Sequence, residues 1–594
     1  MKSPLYVCAV LLLAAGLVAQ TATAPKTTKK KSAAITAADV QSLKDAIASQ
    51  QAALAQQQQQ IQELRDALRQ KDQTAQQAQA AASDAASKAD AAQASASQQQ
   101  QSVTELKSDV TDLKNNVANT VVTVQEAQKK MSEPPTAIHV KGVTITPGGF
   151  LAAESVYRSH ALGAGINTPF NSIPMPGAST TDVSEFFGSG RQSRVSMLVE
   201  GKTGMAKLTG YVEADFLSAG VTSNNNESNS YTMRQRQVWG QAALDNGWSV
   251  TAGQMWSLVT ETKVGMDNRT EALPMTIDPQ YHVGFSWARQ YGFRVVKNIN
   301  NKAWFGISVE NPQATLTSHG NASNFLIGTV GVTGGLYNNQ ANYSFNPSPD
   351  IVAKLAFEPG FGHYEIFGVY SRFRDRVFPC EDVVATDLCG GSTTAGPNAL
   401  GAFNSSKNGG GIGANARWSF AHKHVDFGLH GMGGSGIGRY GTTGLADTAV
   451  RADGTLSLVK SLQGLTTLEF HTPKIDVYFN TGAEYAGRAA SFDPVSGKLV
   501  GYGAPTFNNS GCLTETGPGS GGFAPGALSN CTADTRVMIE GTAGFWHKIH
   551  SGPKGRVQWG LQYSYLDRLA WSGAGGEPNG TENMFFTSFR YYLP

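Results

Sequence analysis

The sequence predicts an all-β transmembrane barrel of about sixteen antiparallel strands, carried behind an N-terminal α-helical coiled coil. Two observations predict the barrel. From Gly149 to Pro594 the chain runs in stretches of about ten residues that alternate apolar and polar side chains, as a strand between lipid and water must. Those stretches are joined by a tight turn and a long Gly/Asn/Ser-rich connector in turn, which fits strands that start and finish on one side. A third observation, an unbroken heptad between residues 38 and 131, predicts the rod in front.

Residues 1–24 read as a secretory signal, with Lys2, an apolar run from Leu5 to Val18, and small residues up to Ala24. The run is too short to span a membrane as a helix, and no later stretch is long enough. A polar linker, 25–37, follows. In segment 38–131 position a of the heptad reads Val40, Ile47, Leu54, Ile61 and Leu68, then Ala75 to Ala96, then Val103 to Val124, all apolar. Position d is patchier, with Gln50, Gln57 and Lys71 among leucines and alanines. Roughly 90 residues at about 1.5 Å rise would make a rod on the order of 130 Å, long enough to cross much of a periplasm. A helical spacer that never zips is the other reading of its Ala-rich middle. Peptidoglycan is a candidate partner of such a rod, and a chain that chiefly tethers the outer membrane to the cell wall is the alternative function. Pro134 and Pro135 then stop the helix within a tether, 132–147.

The barrel is expected over 148–594. Its strands are read at 150–158, 191–202, 206–218, 231–243, 248–258, 284–296, 302–310, 350–358, 363–374, 409–420, 423–438, 455–469, 474–488, 535–547, 555–568 and 583–593. Turn residues close the even strands: 201–203, Asp245-Asn246-Gly247, Asn298 to Asn301, Glu358-Pro359-Gly360, Ala421-His422, Thr472-Pro473 and Ser551-Gly552-Pro553. The glycines around 409–411 and 431–438 make that pair of strands the loosest in pattern. Short-then-long order puts both ends of the barrel on the short-turn side. With an export signal, the expected location is the outer membrane of a Gram-negative type cell, with the coiled coil in the periplasm.

Composition agrees with a large β protein: 40% hydrophobic, only 15% charged, 66 Gly and 9 Trp; the net charge of +2 is uninformative, and no nucleic-acid partner is expected. Past Cys8 the cysteines fall as close pairs, Cys380 with Cys389 and Cys512 with Cys531, each inside one long loop. Loop-local disulfides are the simplest pairing in an oxidising setting; metal sites would want tighter spacing and neighbouring histidines.

No nucleophile elbow, zinc-helix motif, Cys-x-x-Cys or phosphate loop is present, so neither an enzyme nor a cofactor is expected. Isolated histidines such as His282, His363, His422 and His424 read as caps of turns and strand ends. The arginines of the early strands carry more: Arg191 and Arg194, Arg234 and Arg236 on one strand face, and Arg289 and Arg294. A charge at mid-membrane must face the lumen, and lumenal arginines favour anions. The alternative is that Glu200, Glu213 or Asp215 pair with them and brace the wall. Gln235, Gln237 and Gln241 should point away from that arginine face, and as poor lipid contacts they suggest a wall that meets another protomer. Trp304 and Tyr478 are candidates for a sugar path.

Gly148-Gly149-Phe150, Gly190-Arg191-Gln192-Ser193-Arg194, Glu213-Ala214-Asp215-Phe216, Arg234-Gln235-Arg236-Gln237-Val238-Trp239-Gly240 and Ala252-Gly253-Gln254-Met255-Trp256-Ser257, taken in order, resemble the DcaP-like family of outer-membrane porins. The resemblance covers residues 148–296. It implies a homotrimer of sixteen-stranded barrels with periplasmic helical foreparts, seated in outer-membrane lipid and passing small anionic solutes, dicarboxylates among them. It also implies that the arginines above line the lumen. In general porins the third long loop folds inward as a constriction, which would bring Asp267, Arg269 and Glu271 to the pore. The chain departs from the pattern at its end, Leu593-Pro594, where an aromatic residue is expected.

Overall fold

The computed structural model describes residues 137–217, 233–312, 314–317, 324–326, 346–380, 399–494, 496–517 and 529–594. The signal, the coiled coil with its cell-wall partner, and Cys389 lie outside the described residues.

Among the described residues sixteen strands close one antiparallel ring. In chain order they are β1 Val143–Arg158, β2 Arg194–Thr203, β3 Ala206–Asp215, β4 Arg234–Leu244, β5 Trp248–Trp256, β6 Arg289–Ile299, β7 Ala303–Glu310 and β8 Asp350–Phe357. They continue as β9 His363–Val377, β10 Phe403–Phe420, β11 Val425–Ser435, β12 Lys460–His471, β13 Ile475–Ala486, β14 Thr535–Gly552, β15 Gly555–Ala570 and β16 Asn579–Tyr592. Each strand pairs with the next, and β16 returns to β1 with Tyr592 opposite Phe150 and Met584 opposite Arg158. Closure pairs every edge, the requirement for a sheet placed in lipid.

Every expected strand is present, with local corrections. β1 begins at Val143, inside the segment read as tether, because its pairing with β2 already runs from Val143 opposite Gly201. Glu185–Ser189 extends β2 beyond an interruption and pairs with Glu154 to Arg158 of β1. The first turn lies at Gly204-Met205 rather than 201–203, since Lys202 and Thr203 still pair with Lys207 and Ala206. Elsewhere the turns fall as read; Asn300 and Asn301 both take φ of +54°, a conformation that asparagine tolerates.

The pleat sorts the side chains. Along β8, Asp350, Val352, Lys354 and Ala356 are buried inside the ring while Ile351, Leu355 and Phe357 are exposed outside it. β15 does the same, with Gln558, Gln562 and Ser564 inward against Trp559, Leu561, Tyr563 and Tyr565 outward. Outward aromatics recur on many strands, including Phe305, Phe357, Phe479, Trp559 and Phe589. The result is an apolar outer belt of the kind a bilayer covers, around a polar interior.

Candidate functional site

The loop after β5, residues 257–288 and called L3 here, does not stay outside. It folds into the ring and is held there by carboxylates on the wall. Leu258 N donates to Glu310 Oε1 at 2.8 Å, Thr262 N to Glu365 Oε1 at 3.2 Å, and Gly265 N to Glu358 Oε1 at 2.6 Å. Across the lumen, Val283 N donates to Glu540 Oε2 and Gly284 N to Glu484 Oε1, both at 2.8 Å. Ile277 N reaches Gln562 Oε1 at 2.5 Å, and Arg590 Nη2 donates to Ile277 O at 3.3 Å. An amide bound to a carboxylate makes a charge-assisted bond, stronger than an ordinary one.

Glycine permits the closest approach. A Cβ at Gly284 would collide with Gly464 O, and one at Gly482 with Val283 O, so loop and wall meet backbone to backbone. Residues 261–272 form a hairpin tongue within L3, with Lys263 N donating to Thr270 O at 2.7 Å and Ala272 N to Glu261 O at 2.8 Å. At its base, His363 lies between Glu358 at 3.2 Å and Glu365 at 3.1 Å, and Lys354 Nζ lies 2.8 Å from Glu365 Oε2. His363 opens β9, at a strand end as read, and there forms part of an internal clasp. His282 is likewise fully buried. His424 stays exposed at its turn, with Nδ1 facing His471 O at 2.7 Å.

L3 packs one side of the lumen. Inward residues of β7 to β15 such as Ser308, Lys354, Asn415, Asn480, Glu540 and Gln562 are buried. Trp304 and Tyr478 are buried too, Trp304 against Gly265 of the tongue and Tyr478 with its hydroxyl on Gln562, so neither lines an open path. The inward side chains that keep access to water lie instead on β2 to β4, where Ser196, Thr209 and Gln241 are half-buried and the side chains of Arg194 and Arg234 are 17% and 34% exposed. Glu271 and Leu273 of L3 are half-buried, and Asp267 and Arg269 at the tongue tip are exposed. Arg269 spreads over the Tyr211 ring at 5.0 Å. These water-accessible side chains gather between the tongue and strands β2 to β4, a place called the eyelet here.

The arginines divide into braces and an unspent charge. Arg234 grips Asp215 through two bonds, Nε to Oδ1 at 2.9 Å and Nη2 to Oδ2 at 3.0 Å. Arg236 donates to Glu213 at 2.7 Å, to Asp215 at 2.5 Å and to the Tyr281 hydroxyl at 3.2 Å. Arg194 lies 3.6 Å from Glu213. Glu200 takes no part, being paired with Lys207. Arg294 holds the root of L3 through Trp256 O at 2.6 Å and Asn268 at 3.3 Å, and Arg191 Nε donates to Phe216 O at 3.2 Å. Among the described residues no carboxylate pairs with Arg289; its guanidinium lies over the rings of Trp256 and Trp287 at 4.9 and 5.3 Å.

A β-bulge explains the glutamines. Between β3 and β4 the register slips, with Glu213 opposite Gln237 but Ala214 opposite Gln235, so Arg236 is the extra residue. Arg236 and Gln237 then both turn inward. Gln237 is buried and accepts from Trp239 Nε1 at 3.3 Å, and Gln241 donates to the buried Thr251 hydroxyl at 3.0 Å. Their expected outward placement is overturned; of the three only Gln235 remains outside, bonded to Gln254 at 3.3 Å.

No family model matches the chain, and no curated protein does. Solved structures resemble it at low identity. The outer-membrane channel DcaP of Acinetobacter baumannii is 12% identical with a TM-score of 0.49, over 77% of this chain and 100% of that one. An anion-selective porin from Comamonas acidovorans is 10% identical with a TM-score of 0.37, over 76% and 100%. Pseudomonas putida OprB is 13% identical with a TM-score of 0.37, over 75% and 94%. The barrel rests on the strand pairing itself, and no residue role is taken from these likenesses.

Sequence reasoning missed the wall carboxylates Glu310, Glu358, Glu365, Glu484 and Glu540. Their signal was a lone Glu at an inward position or turn, indistinguishable there from any lumenal polar residue. Beyond the eyelet, Cys512 and Cys531 form a disulfide, and Cys380 is itself disulfide-bonded. Asp426, Glu469 and His471 gather on the short-turn side, but Arg417 lies 3.3 Å from Glu469 and 3.8 Å from Asp426 and already answers their charge.

Proposed function

We propose that the chain is an outer-membrane porin of the DcaP-like type, a passive diffusion channel biased toward small anionic solutes such as carboxylates. The observation that supports it is the charge around the eyelet. Arg194 and Arg234 keep partial access to water beside Glu213 and Asp215, and with Arg236 and Arg289 buried behind them four guanidiniums stand against two carboxylates, a positive excess next to the opening. Fixed positive charge at a constriction concentrates anions and repels cations. Asp267 and Glu271 on the tongue face that wall and set up a transverse field across the opening, with Arg269 held on Tyr211.

The outer face suggests how the protein assembles. On β1 to β4 the outward residues Leu151, Val195, Met197, Leu208, Gly210, Val212, Val238, Gly240 and Ala242 are small or aliphatic, and aromatics enter at Tyr157 and Phe186 near the long-loop end. A smooth face of this kind packs closely against a copy of itself, and a homotrimer sealed there is the assembly we infer.

Planar-bilayer recording across a KCl gradient tests the function. A reversal potential of the sign for chloride preference is expected, moving toward zero in Arg194→Glu and Arg289→Glu. Cation preference of the unaltered protein, or no conductance, would overturn the reading.

A further inference from the structure

The outer wall carries a strip of basic side chains at the long-loop end of β9. Outward positions along that strand run Tyr364, Ile366, Gly368 and Tyr370, and then Arg372, Arg374 and Arg376. Ser371, Phe373 and Asp375, which alternate with the arginines, are buried on the inner face. Successive outward residues of a strand lie about 6.6 Å apart, so the three guanidiniums climb in line away from the apolar belt. The charge continues sideways. Tyr370 is opposite Gly410 of β10, Gly410 opposite Ser435 of β11, and Ser435 opposite Lys460 of β12, an exposed outward lysine. It lies about 14 Å from Tyr370, three strand spacings along one row. Among the described residues, the outward positions of β8 to β12 hold no Asp or Glu.

The level of the strip decides what it meets. A charge among lipid tails is costly, so these side chains stand where the hydrocarbon ends, with Tyr370 below them in the place of a girdle aromatic. At that level a cation faces lipid phosphates, which a planar guanidinium takes in bidentate fashion. Arg376 gives Nη1 to Asn404 Oδ1 at 3.2 Å and lies over the Phe378 ring at 5.5 Å; a guanidinium keeps its full charge whatever bonds it shares. Nearer mid-wall, Ile412 of β10 and Leu462 of β12 flank Gly433 of β11 and stand 70% and 60% exposed, an apolar pair beneath the cations. These strands lie away from the β1 to β4 face inferred to meet other protomers, so the sector faces lipid in the trimer too.

We propose that this sector of the outer wall binds lipopolysaccharide, with its phosphates on Arg372, Arg374, Arg376 and Lys460 and its acyl chains over Ile412 and Leu462. The inference rests on the long loops lying outside an outer membrane, whose outer leaflet carries that phosphorylated lipid, and not on solute selectivity. The full chain, refolded in detergent, is titrated with purified rough-type lipopolysaccharide, and the lipid carried per chain is read by native mass spectrometry. Saturable binding is expected, and the same lipid stripped of its phosphates should bind about 10-fold or more weakly. Arg372→Gln, Arg374→Gln and Arg376→Gln combined should weaken binding roughly 10-fold, as the loss of three exposed ion pairs would. Lys460→Gln alone should cost about 2- to 3-fold. Lys297→Gln, which removes an outward lysine at the short-turn end, should bind as the unaltered protein does.

Undiminished binding by the triple variant, shown folded by its resistance to SDS, would overturn the proposal, as would equal binding of the dephosphorylated lipid. Phosphatidylglycerol bound as tightly, with the same loss in the triple variant, would overturn the choice of lipid. Cation preference in the bilayer would end the channel reading while the lipid titration still decides this face.

Discussion

Arg236 Nη1 lies 2.5 Å from Asp215 Oδ2 at the one place where β4 carries a residue more than β3. The bulge and the ion pair explain each other. The extra residue turns inward with its neighbour Gln237, and Glu213 with Asp215 supplies the charge that a buried guanidinium needs.

Removing that guanidinium should cost stability first. Arg236→Ala leaves Glu213 and Asp215 buried with a partner missing, and breaking a buried pair from one side costs about 3–5 kcal/mol. Denaturant unfolding of the refolded barrel in detergent reads this. Arg289→Gln, which breaks no ion pair, is expected to unfold with the unaltered protein. A drop of the same size in both would refute the division into braces and unspent charge.

The tongue should loosen when its carboxylate holders are neutralised. Glu365 accepts the Thr262 amide and hydroxyl and also faces Lys354 and His363. Glu365→Gln removes the charge but not the shape, weakening bonds worth about 1.5–3 kcal/mol each. Larger and noisier single-channel conductance is expected, together with faster protease cleavage after Lys263. Unchanged traces would mean that the loop is held by packing alone.

Backbone contact between L3 and the wall predicts a steric effect with no change of charge. Gly482→Val would push a side chain into Val283 O, and Gly284→Ala would meet Gly464 O at a φ of +87°. Both should release the 283–286 end of the loop, raising conductance while the barrel still resists unfolding in SDS gels. Wild-type conductance in both variants would show that the contact can be relieved locally.

Cys512–Cys531 ties a stretch of the loop between β13 and β14, with the two residues separated by 19 positions. Cys512→Ser should remove about 3 kcal/mol from the closed loop, by the chain-entropy argument for loops of this length. Protease cutting between residues 513 and 530 should speed up, and ion selectivity should stay as it was. A change in selectivity would place this loop closer to the permeation path than the eyelet geometry does.

The strands were legible because alternation is local: Lys207 to Asp215 sorts its own side chains without reference to any partner. The inward course of L3 was not written in its residues. Glu261, Asp267 and Asp278 would suit an exposed loop equally well, and what draws the segment in are carboxylates contributed from as far away as Glu540. The bulge at Arg236 also escaped, since one extra residue leaves the polarity of Arg234 to Gln241 looking like an ordinary strand. Its effect was large, because it reversed the facing of Gln237 and Gln241. Trp304 and Tyr478 showed the same limit: an inward aromatic is visible in the pattern, but whether a loop covers it is decided elsewhere in the chain.

Because Glu310, Glu365, Glu484 and Glu540 hold L3 at points spread over β7 to β14, the loop acts less like a flap than like the spoke of a wheel. A spoke fixes the rim as well as the hub. Any bilayer strain that ovalises the ring would be resisted by the loop inside it, so the cut-off in solute size should change little between thin and thick membranes.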